Sequence, residues 1–488
     1  RVLRLMTVSP PCHQAGLIGI GGGQTAESEH LATRGRFIHR KHLGPGTAAA
    51  NGAAERCNTA ATAAGVEHRI RHLPRLCGSH LRIPTSLKKP RDDTSGGHKP
   101  ADVLLKERLG PQAYALEQIC AAQAADRDWG RYNRTLLGRR IFFAANLYTN
   151  QPVLSDWMLQ LLKAVDFLGP RNVGISIYEN GSHDRTKELL RVLDEVLTAY
   201  GLAHSVVTDA EEKPKNVHRI EYLAKVRNRA LQPLIREAGV ATYDRILFLN
   251  DIYFCEHDII ELLHQSLLNE ADIACGMDYK TADRNRRTVD FYDTWVFRDR
   301  GGNPWGSFAP SSMRELQSGK PLQVGCCWNG AAALSPIPFI AHDVRFRRSR
   351  DGVVGCPVDR ECSASECSLL CKDFARNGFH RVLAVPSMRV AYDLGTYQLL
   401  PKPPPREALA AMDRPIEWQP LSRETLCWGI VRPGSERTAK DCPQVWECLM
   451  DDRSAHRRSG LQCRDLPPAW HDVTKAAAEE SKGGDDKR

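Results

Sequence analysis

No run of eighteen apolar residues occurs in this 488-residue chain, so it contains no membrane-spanning helix of the usual kind. No secretory leader is evident in the residues as they stand. The first residue is Arg1 rather than Met, which leaves open an anchor preceding it. No internal repeat is visible, which argues against solenoid and propeller architectures. The glycine run Gly21 to Gly23 neither follows a strand pattern nor opens a helix, so it is not read as a phosphate loop. Aromatic residues are only 7% of the chain, and few lie among the basic residues. Without that interleaving, and without a zinc-finger or RNP pattern, the net charge of +9 does not indicate a nucleic-acid partner. Much of the excess falls before residue 100, in Arg34, Arg36, Arg40-Lys41, Arg69 to Arg75 and Lys88-Lys89. These residues read as a solvated, disordered segment.

Cysteine, by contrast, is abundant at 16 residues. Most fall late: Cys326, Cys327, Cys356, Cys362, Cys367, Cys371, Cys427, Cys442, Cys448 and Cys463. Their spacings do not match a zinc site, so disulfides in an oxidising compartment are expected, with pairings that sequence does not reveal. Asn133-Arg-Thr135 is a glycosylation sequon expected at the surface. Asn180-Gly-Ser182 is a second, expected to be unmodified.

The chain divides by pattern. Residues 1–100 are rich in Ala, Gly, His and Arg and lack periodicity; they read as a disordered stalk or an extension foreign to the fold. Pro100 to Leu137 looks helical and leads in, over 101–139. From 140 to 400 strands alternate with helices: strand Ile141 to Ala145, helix Ser155 to Leu168, strand Val173 to Tyr178, helix Asp184 to Tyr200, strand Ala203 to Val207, helix Arg219 to Ala238, strand Ile246 to Leu249, helix Glu256 to Leu268. That alternation predicts an α/β fold around a parallel, doubly wound sheet. Past Ile273 short strands, loops and a helix near Ser365 to Arg376 follow. A proline-rich break at Pro401 to Arg406 opens a Cys-containing extension over 401–473, and 474–488 is a charged tail read as disordered.

The most informative stretch is Arg245-Ile-Leu-Phe-Leu-Asn-Asp-Ile-Tyr-Phe254. Its apolar run reads as a strand buried on both faces. A carboxylate at the exit of such a strand belongs at the carboxyl edge of the sheet, where open α/β sheets hold ligands. Asp251 there either holds a divalent cation, and through it a diphosphate, or caps the following helix. Ile175-Ser-Ile-Tyr-Glu-Asn-Gly-Ser-His-Asp-Arg-Thr186 repeats the pattern. Glu179, the Asn180-Gly181 turn and Asp184 either grip a nucleoside or form an ordinary βα turn. Lys225, Arg227 and Asn228 lie on one helix, with Lys225 and Arg229 on a shared face and Arg227 pointing elsewhere. Asp290-Phe-Tyr-Asp-Thr-Trp-Val296 mixes acids and aromatics as sugar-binding walls do, which singles out Asp293 and Trp295. Trp328 and Asn329 sit between glycines, and Glu366 opens a helix that it either caps or lends to a site. His257, His342 and His380 lack ligand-like spacing.

Taken together and in order, YENGSHDRT, LAKVRNRAL, ILFLNDIYF, FYDTWV, CCWNGAA and SECSLLC resemble the fungal capsule-associated α-1,3-mannosyltransferase family, over roughly Arg140 to Asp393. The resemblance implies a GT-A-like nucleotide-sugar-binding fold with a mixed, mainly parallel central sheet flanked by helices. It implies retaining transfer of mannose from GDP-mannose to a mannose-containing glycan acceptor, with Mn2+ or Mg2+ as cofactor. It also implies a Golgi membrane location through an N-terminal anchor not present in this chain. Leu249-Asn250-Asp251 stands where GT-A enzymes usually carry Asp-x-Asp, so Asp251 and the weaker donor Asn250 are the expected metal ligands. Asp293 and Glu366 are the candidate catalytic carboxylates. Glu179, Asn180, Gly181, Asp184, Lys225, Arg227, Asn228, Trp295, Trp328 and Asn329 are the candidate donor-binding residues. The alternatives are a transferase using a UDP-sugar, or a non-catalytic luminal glycan-assembly protein with a degenerate site.

Overall fold

A computed structural model of the chain describes residues 99–110, 114–208, 213–237, 243–282, 288–349, 364–421, 424–426 and 446–448. The expectations for residues 1–98 and 474–488 lie outside the described residues.

The lead-in is made of three short helices: α1 (Ala101–Leu109), α2 (Glu117–Ala124) and α3 (Trp129–Leu136). Gly110, at φ +74°, ends the first. They are followed by β1 (Ile141–Leu147), α4 (Gln151–Leu168), β2 (Val173–Glu179), α5 (Thr186–Ala199), β3 (Ala203–Val207), α6 (Arg219–Glu237), β4 (Arg245–Leu249) and α7 (Glu256–Leu268). The strand–helix order is as the sequence pattern predicts. Helix α4 starts earlier than expected because Pro152 suits a first helical turn, where its missing N–H costs nothing. The second half contains β5 (Ile273–Thr281), β6 (Val289–Phe291), α8 (Pro310–Gln317), β7 (Leu322–Gln323), β8 (Ala331–Leu334), α9 (Ile337–Ala341), α10 (Glu366–Arg376), β9 (Val382–Ala391) and α11 (Leu394–Leu399).

These strands form one sheet in the order β3-β2-β1-β4-β8-β5-β9-β7, with β6 paired to β5. β3, β2, β1 and β4 are parallel. β8 lies antiparallel between β4 and β5, and β9 continues parallel to β5. The sheet is therefore mixed and mainly parallel, flanked by helices, in keeping with a GT-A-like fold. Alternate residues feed two cores. Ile141, Phe143, Ala145, Leu247 and Leu249 join α4, α5 and α7 on one face. Phe142, Ala144, Ile246 and Phe248 join α6 and α10 on the other. Fully burying each Leu or Phe contributes roughly 1.5–3 kcal/mol. Continuous apolar runs in β1 and β4 are what two covered faces require.

The strand order reverses between β1 and β4: β1, β2 and β3 extend one way, and β4 returns on the other side of β1. The crevice outside such a reversal is the usual ligand position in open α/β sheets. No helix among the described residues is long and apolar enough to cross a membrane.

The lead-in is built into the core. Leu105, Leu116, Cys120, Tyr132 and Leu136 belong to the α4–α5–α7 face, and Cys120 is disulfide-bonded to Cys255. Arg131, 2% exposed, donates Nη2 to Glu261 of α7 at 3.1 Å and Nε to Asp413 at 2.7 Å. Burial would push the Glu261 carboxyl up, but bonds from Arg131 outweigh it and hold it below its ordinary range. Removing Arg131 would strand a buried carboxylate. Arg131→Ala should therefore lose about 3–5 kcal/mol of stability, seen as a fall in the urea midpoint. A loss below about 1 kcal/mol would show that this ion cluster does not hold the lead-in.

Candidate active site

Five strands deliver polar residues to one edge. β1 leads to Asn150, β2 ends in Glu179 and Asn180, β4 exits into Asn250 and Asp251, β5 carries Asp278, and β9 exits into Tyr392. Antiparallel β8 enters at the same edge, bringing Trp328 and Asn329. Asn329 and Gly330 both have positive φ, 49° and 79°. This reversal lets the Gly330 carbonyl accept from Asn250 N at 2.9 Å and turns Asn329 N towards Asp293 Oδ2 at 3.3 Å. Two disulfides brace this entry: Cys327 is bonded to Cys275 of β5, and Cys326 to Cys371 of α10. Disulfides are thus present as expected, while Cys356, Cys362, Cys427, Cys442 and Cys463 lie outside the described residues.

Asp251 is not a helix cap. The start of α7 is capped by Asp258, whose Oδ2 accepts from Cys255 N at 2.8 Å. Asp251 instead receives Asn150 Nδ2 on Oδ2 at 2.6 Å, across the β1–β4 crevice. Burial pushes its carboxyl up, against the pull of its own N–H, Asn150 and Arg227.

Behind Asp251 lies a buried cation. Arg227 donates Nε to Glu366 Oε1 at 3.0 Å and Nη1 to Asn250 Oδ1 at 3.4 Å. Its guanidinium lies over the rings of Trp328 at 4.6 Å, Phe248 at 5.1 Å and Phe346 at 5.7 Å. Asn250 Oδ1 also accepts Trp328 Nε1 at 3.2 Å, and Asn250 Nδ2 donates to Tyr392 Oη at 2.9 Å. Asn250, expected beside Asp251 as a weaker metal ligand, is thus engaged on both atoms of its amide. Its side-chain oxygen already takes two donors, one of them a cation. An aspartate there would lose the donor that holds Tyr392, so Asn250 organises the edge from which Asp251 reaches Asn150.

A second group of carboxylates sits beyond it. Asp278 Oδ1 accepts from Asp293 N at 3.1 Å, while Asp293 accepts from Val296 N at 3.1 Å and Asn329 N. Burial, and then the Asp293 charge, push the Asp278 carboxyl well above the usual range. Burial likewise raises Asp293. Asp278 Oδ2 and Glu366 Oε2 are buried without a hydrogen-bond partner, as are Glu179 Oε2 and Asn180 Oδ1. A site needing hydroxyl or N–H donors from a ligand leaves such acceptors.

Several expected residues are tied into the scaffold or lie at its surface. Asp184 accepts from Thr186 N and Gln151 N, both at 3.0 Å, and so fixes the start of α5. Burial would raise it, but these bonds prevail and lower it. Asn228 exchanges bonds with the Phe346 main chain at 2.8 and 3.0 Å. Lys225 is exposed, and two residues away on a helix it cannot share the buried face of Arg227. Trp295 is half-buried, with its carbonyl accepting from Arg298. Gly181, at φ +95°, makes the turn after Asn180. Cys255, His257 and Asp258 bring three metal-capable atoms together, but the disulfide at Cys255 and the capping bond of Asp258 make this a structural knot.

Asn150, Asp278 and Tyr392 escaped sequence reasoning. Asp278 had a signal: Ile273-Ala-Cys-Gly-Met277 ends in an acid, just as the β4 run ends before Asp251. Asn150 and Tyr392 had none, because what singles them out is a contact with a distant strand.

The family described as Cryptococcal mannosyltransferase 1 matches residues 140–373. Alpha-1,3-mannosyltransferase CMT1 of Cryptococcus neoformans var. neoformans serotype D is 32% identical over 330 residues, covering 60% of this chain and 68% of that protein. Among solved structures, mannosyltransferase PcManGT from Pyrobaculum calidifontis, in complex with GDP-Man and Mn2+, is 12% identical at a TM-score of 0.31, covering 60% of this chain and 67% of that one. Glucosyl-3-phosphoglycerate synthase from Mycobacterium tuberculosis, with Mg2+ and UDP, is 14% identical at a TM-score of 0.29, covering 59% and 79%.

Asp278 gives this geometry a stability signature. An acid raised by burial opposes folding once ionised, so Asp278→Asn should stabilise the protein at pH 7 by roughly 1–3 kcal/mol. The gain should fade below about pH 4, where the carboxyl is neutral in both folded and unfolded chains. Thermal melts across this range check it, and a gain independent of pH would contradict it.

Proposed function

This chain belongs to the cryptococcal mannosyltransferase family and is a glycosyltransferase, and we propose that it transfers mannose from GDP-mannose to a mannose-containing glycan acceptor, with retention and in an α-1,3 linkage. The observation that carries the reading is Asp251: one carboxylate at the carboxyl edge, in the crevice where the strand order reverses, steered by Asn150 and backed by Arg227.

A single carboxylate suffices for the cation this reading calls for. Mg2+ is commonly held by one or two carboxylates, the rest of its shell being water and substrate phosphate. Mn2+ favours the same oxygen donors. Asp251 fits that part, since only one of its oxygens is engaged by Asn150. When bound, a divalent ion neutralises charge developing on the departing diphosphate.

The chain's own residues do the rest. The buried charge of Arg227, one hydrogen bond from Asn250, adds fixed positive potential behind the diphosphate. Glu179 and Asn180 hold the nucleoside. The orphaned oxygens of Asp278 and Glu366 accept from hydroxyls of the transferred sugar and its acceptor. Trp328 and Asn329 shape the wall between them. A retaining transfer can use the leaving phosphate as the base on the same face, so no side-chain nucleophile is required. The disulfides fit an oxidising lumen, and we place the protein at the Golgi membrane.

Asp251→Ala should reduce GDP release from GDP-mannose, with Mn2+ and a mannose acceptor present, by at least about 1,000-fold. The melting temperature should stay close to that of the unaltered protein. Turnover within about threefold of the unaltered protein would remove Asp251 from the site.

A further inference from the structure

Among the described residues only two Phe, Tyr or Trp side chains are exposed, Tyr148 at 49% and Tyr292 at 47%. Tyr148 follows β1 and Tyr292 follows β6, both at the edge that carries Asp251 and Asp278. Strand pairing fixes where the second ring stands. β6 runs antiparallel to β5, with Tyr279 opposite Phe291 and Lys280 opposite Asp290. Tyr292 N extends that ladder by donating to Asp278 O at 3.0 Å. Side chains two residues apart on a strand share a face. Phe291 therefore turns into the core against Tyr279, with ring centroids 6.4 Å apart, and Tyr292 stands on the opposite face with Asp278 and Lys280. The Tyr292 ring packs on Tyr392 with centroids 4.8 Å apart, and the Lys280 ammonium lies 5.8 Å from its centroid. Tyr392 is itself held by Asn250, the residue before Asp251. Burial, then the charges of Asp278, Asp293 and Asp251, push the Tyr292 phenol up, against the pull of Arg219. Those charges place the ring within electrostatic reach of the diphosphate position.

A ring held half in water adds little to the core, but it offers a ligand flat apolar surface. Because Tyr392 and Lys280 already restrain it, little side-chain freedom is lost when something settles on it. A pyranose suits such a surface. Its C–H bonds make an apolar face, and its hydroxyls project from the rim, where Lys280 and the carboxylates lie. A peptide hydroxyl brings no such face. The position along the sheet separates donor from acceptor. The diphosphate belongs at the β1–β4 crevice, whereas β5 and β6 lie beyond β8 from it. A ring at the solvent margin on that side meets the sugar that receives the transferred group.

We propose that Tyr292 is the stacking platform of the acceptor subsite, on which a pyranose of the acceptor glycan lays its C–H face. This rests on the glycosyltransferase reading above and gives its acceptor a specificity-determining residue.

Saturation-transfer NMR titration of the full chain with α-1,3-mannobiose, with GDP and Mn2+ present, tests it, alongside calorimetric titration with GDP. Tyr292→Ala should weaken mannobiose binding about 10- to 30-fold. Tyr292→Phe keeps the ring and should stay within about threefold of the unaltered protein, and both variants should hold GDP within about threefold. Mannobiose affinity unchanged in Tyr292→Ala would overturn the proposal. So would an equal loss in Tyr292→Phe, which would make the hydroxyl rather than the ring face the contact, or an equal loss of GDP, which would move the ring to the donor. Failure of the unaltered protein to bind GDP would instead overturn the guanosine donor, while the mannobiose titration would still decide the role of Tyr292.

Discussion

The buried guanidinium of Arg227 is the interaction on which the edge of this sheet depends. Taking such a charge out of water costs several kcal/mol. The cost is offset by the Glu366 carboxylate, the Asn250 carbonyl and three aromatic faces. Those partners come from separate parts of the chain: the exit of β4, the entry to β8, the start of α10 and the segment around Phe346. One cation thereby fixes four pieces whose only common purpose is to surround the crevice. Asn250 passes this order on, to Tyr392 through its amide and to Gly330 through its main chain. Asp251 follows Asn250 directly, so its position is inherited from the same cluster.

Around that ordered centre the protein tolerates what a stable core avoids. Four carboxylate or amide oxygens along one edge are buried without donors. Each works against folding. The opposing contributions are visible nearby: two large apolar cores on the sheet's faces, and disulfides that staple the residues just before Trp328 to β5 and α10. Rigid support and unsatisfied acceptors meet at the same edge, which is how a preorganised binding site differs from a merely polar surface.

Much of this could be read from the sequence, for a definite reason. Buried parallel strands announce themselves as apolar runs, and an acid at the end of one has few places to go. Ile246 to Leu249 ending at Asp251, and Val173 to Tyr178 ending at Glu179, therefore marked both the strand ends and the edge. Cross-strand partnerships left no such trace. That Asn250 spends its oxygen on Arg227 and Trp328 depends on β8 running antiparallel beside β4, which the short, alanine-rich Ala331–Leu334 does not advertise. Asp184 and Asn228 carried suitable chemistry, but the local backbone claimed it first. The split between Lys225 and Arg227 was legible from helical spacing alone, since a helix that buries Arg227 turns Lys225 to solvent.

The central claim is that an edge built on Arg227, with one carboxylate at the crevice, makes a complete site for moving mannose from a guanosine donor. The most direct measurement is nucleoside diphosphate release by the unaltered protein from GDP-mannose, UDP-glucose and UDP-xylose, each with a mannose-containing acceptor, with Mn2+ and with the metal chelated. The account predicts release from GDP-mannose alone, lost on chelation, together with an α-linked mannosylated product. Release from a UDP-sugar, or release from GDP-mannose undiminished by chelation, would contradict it.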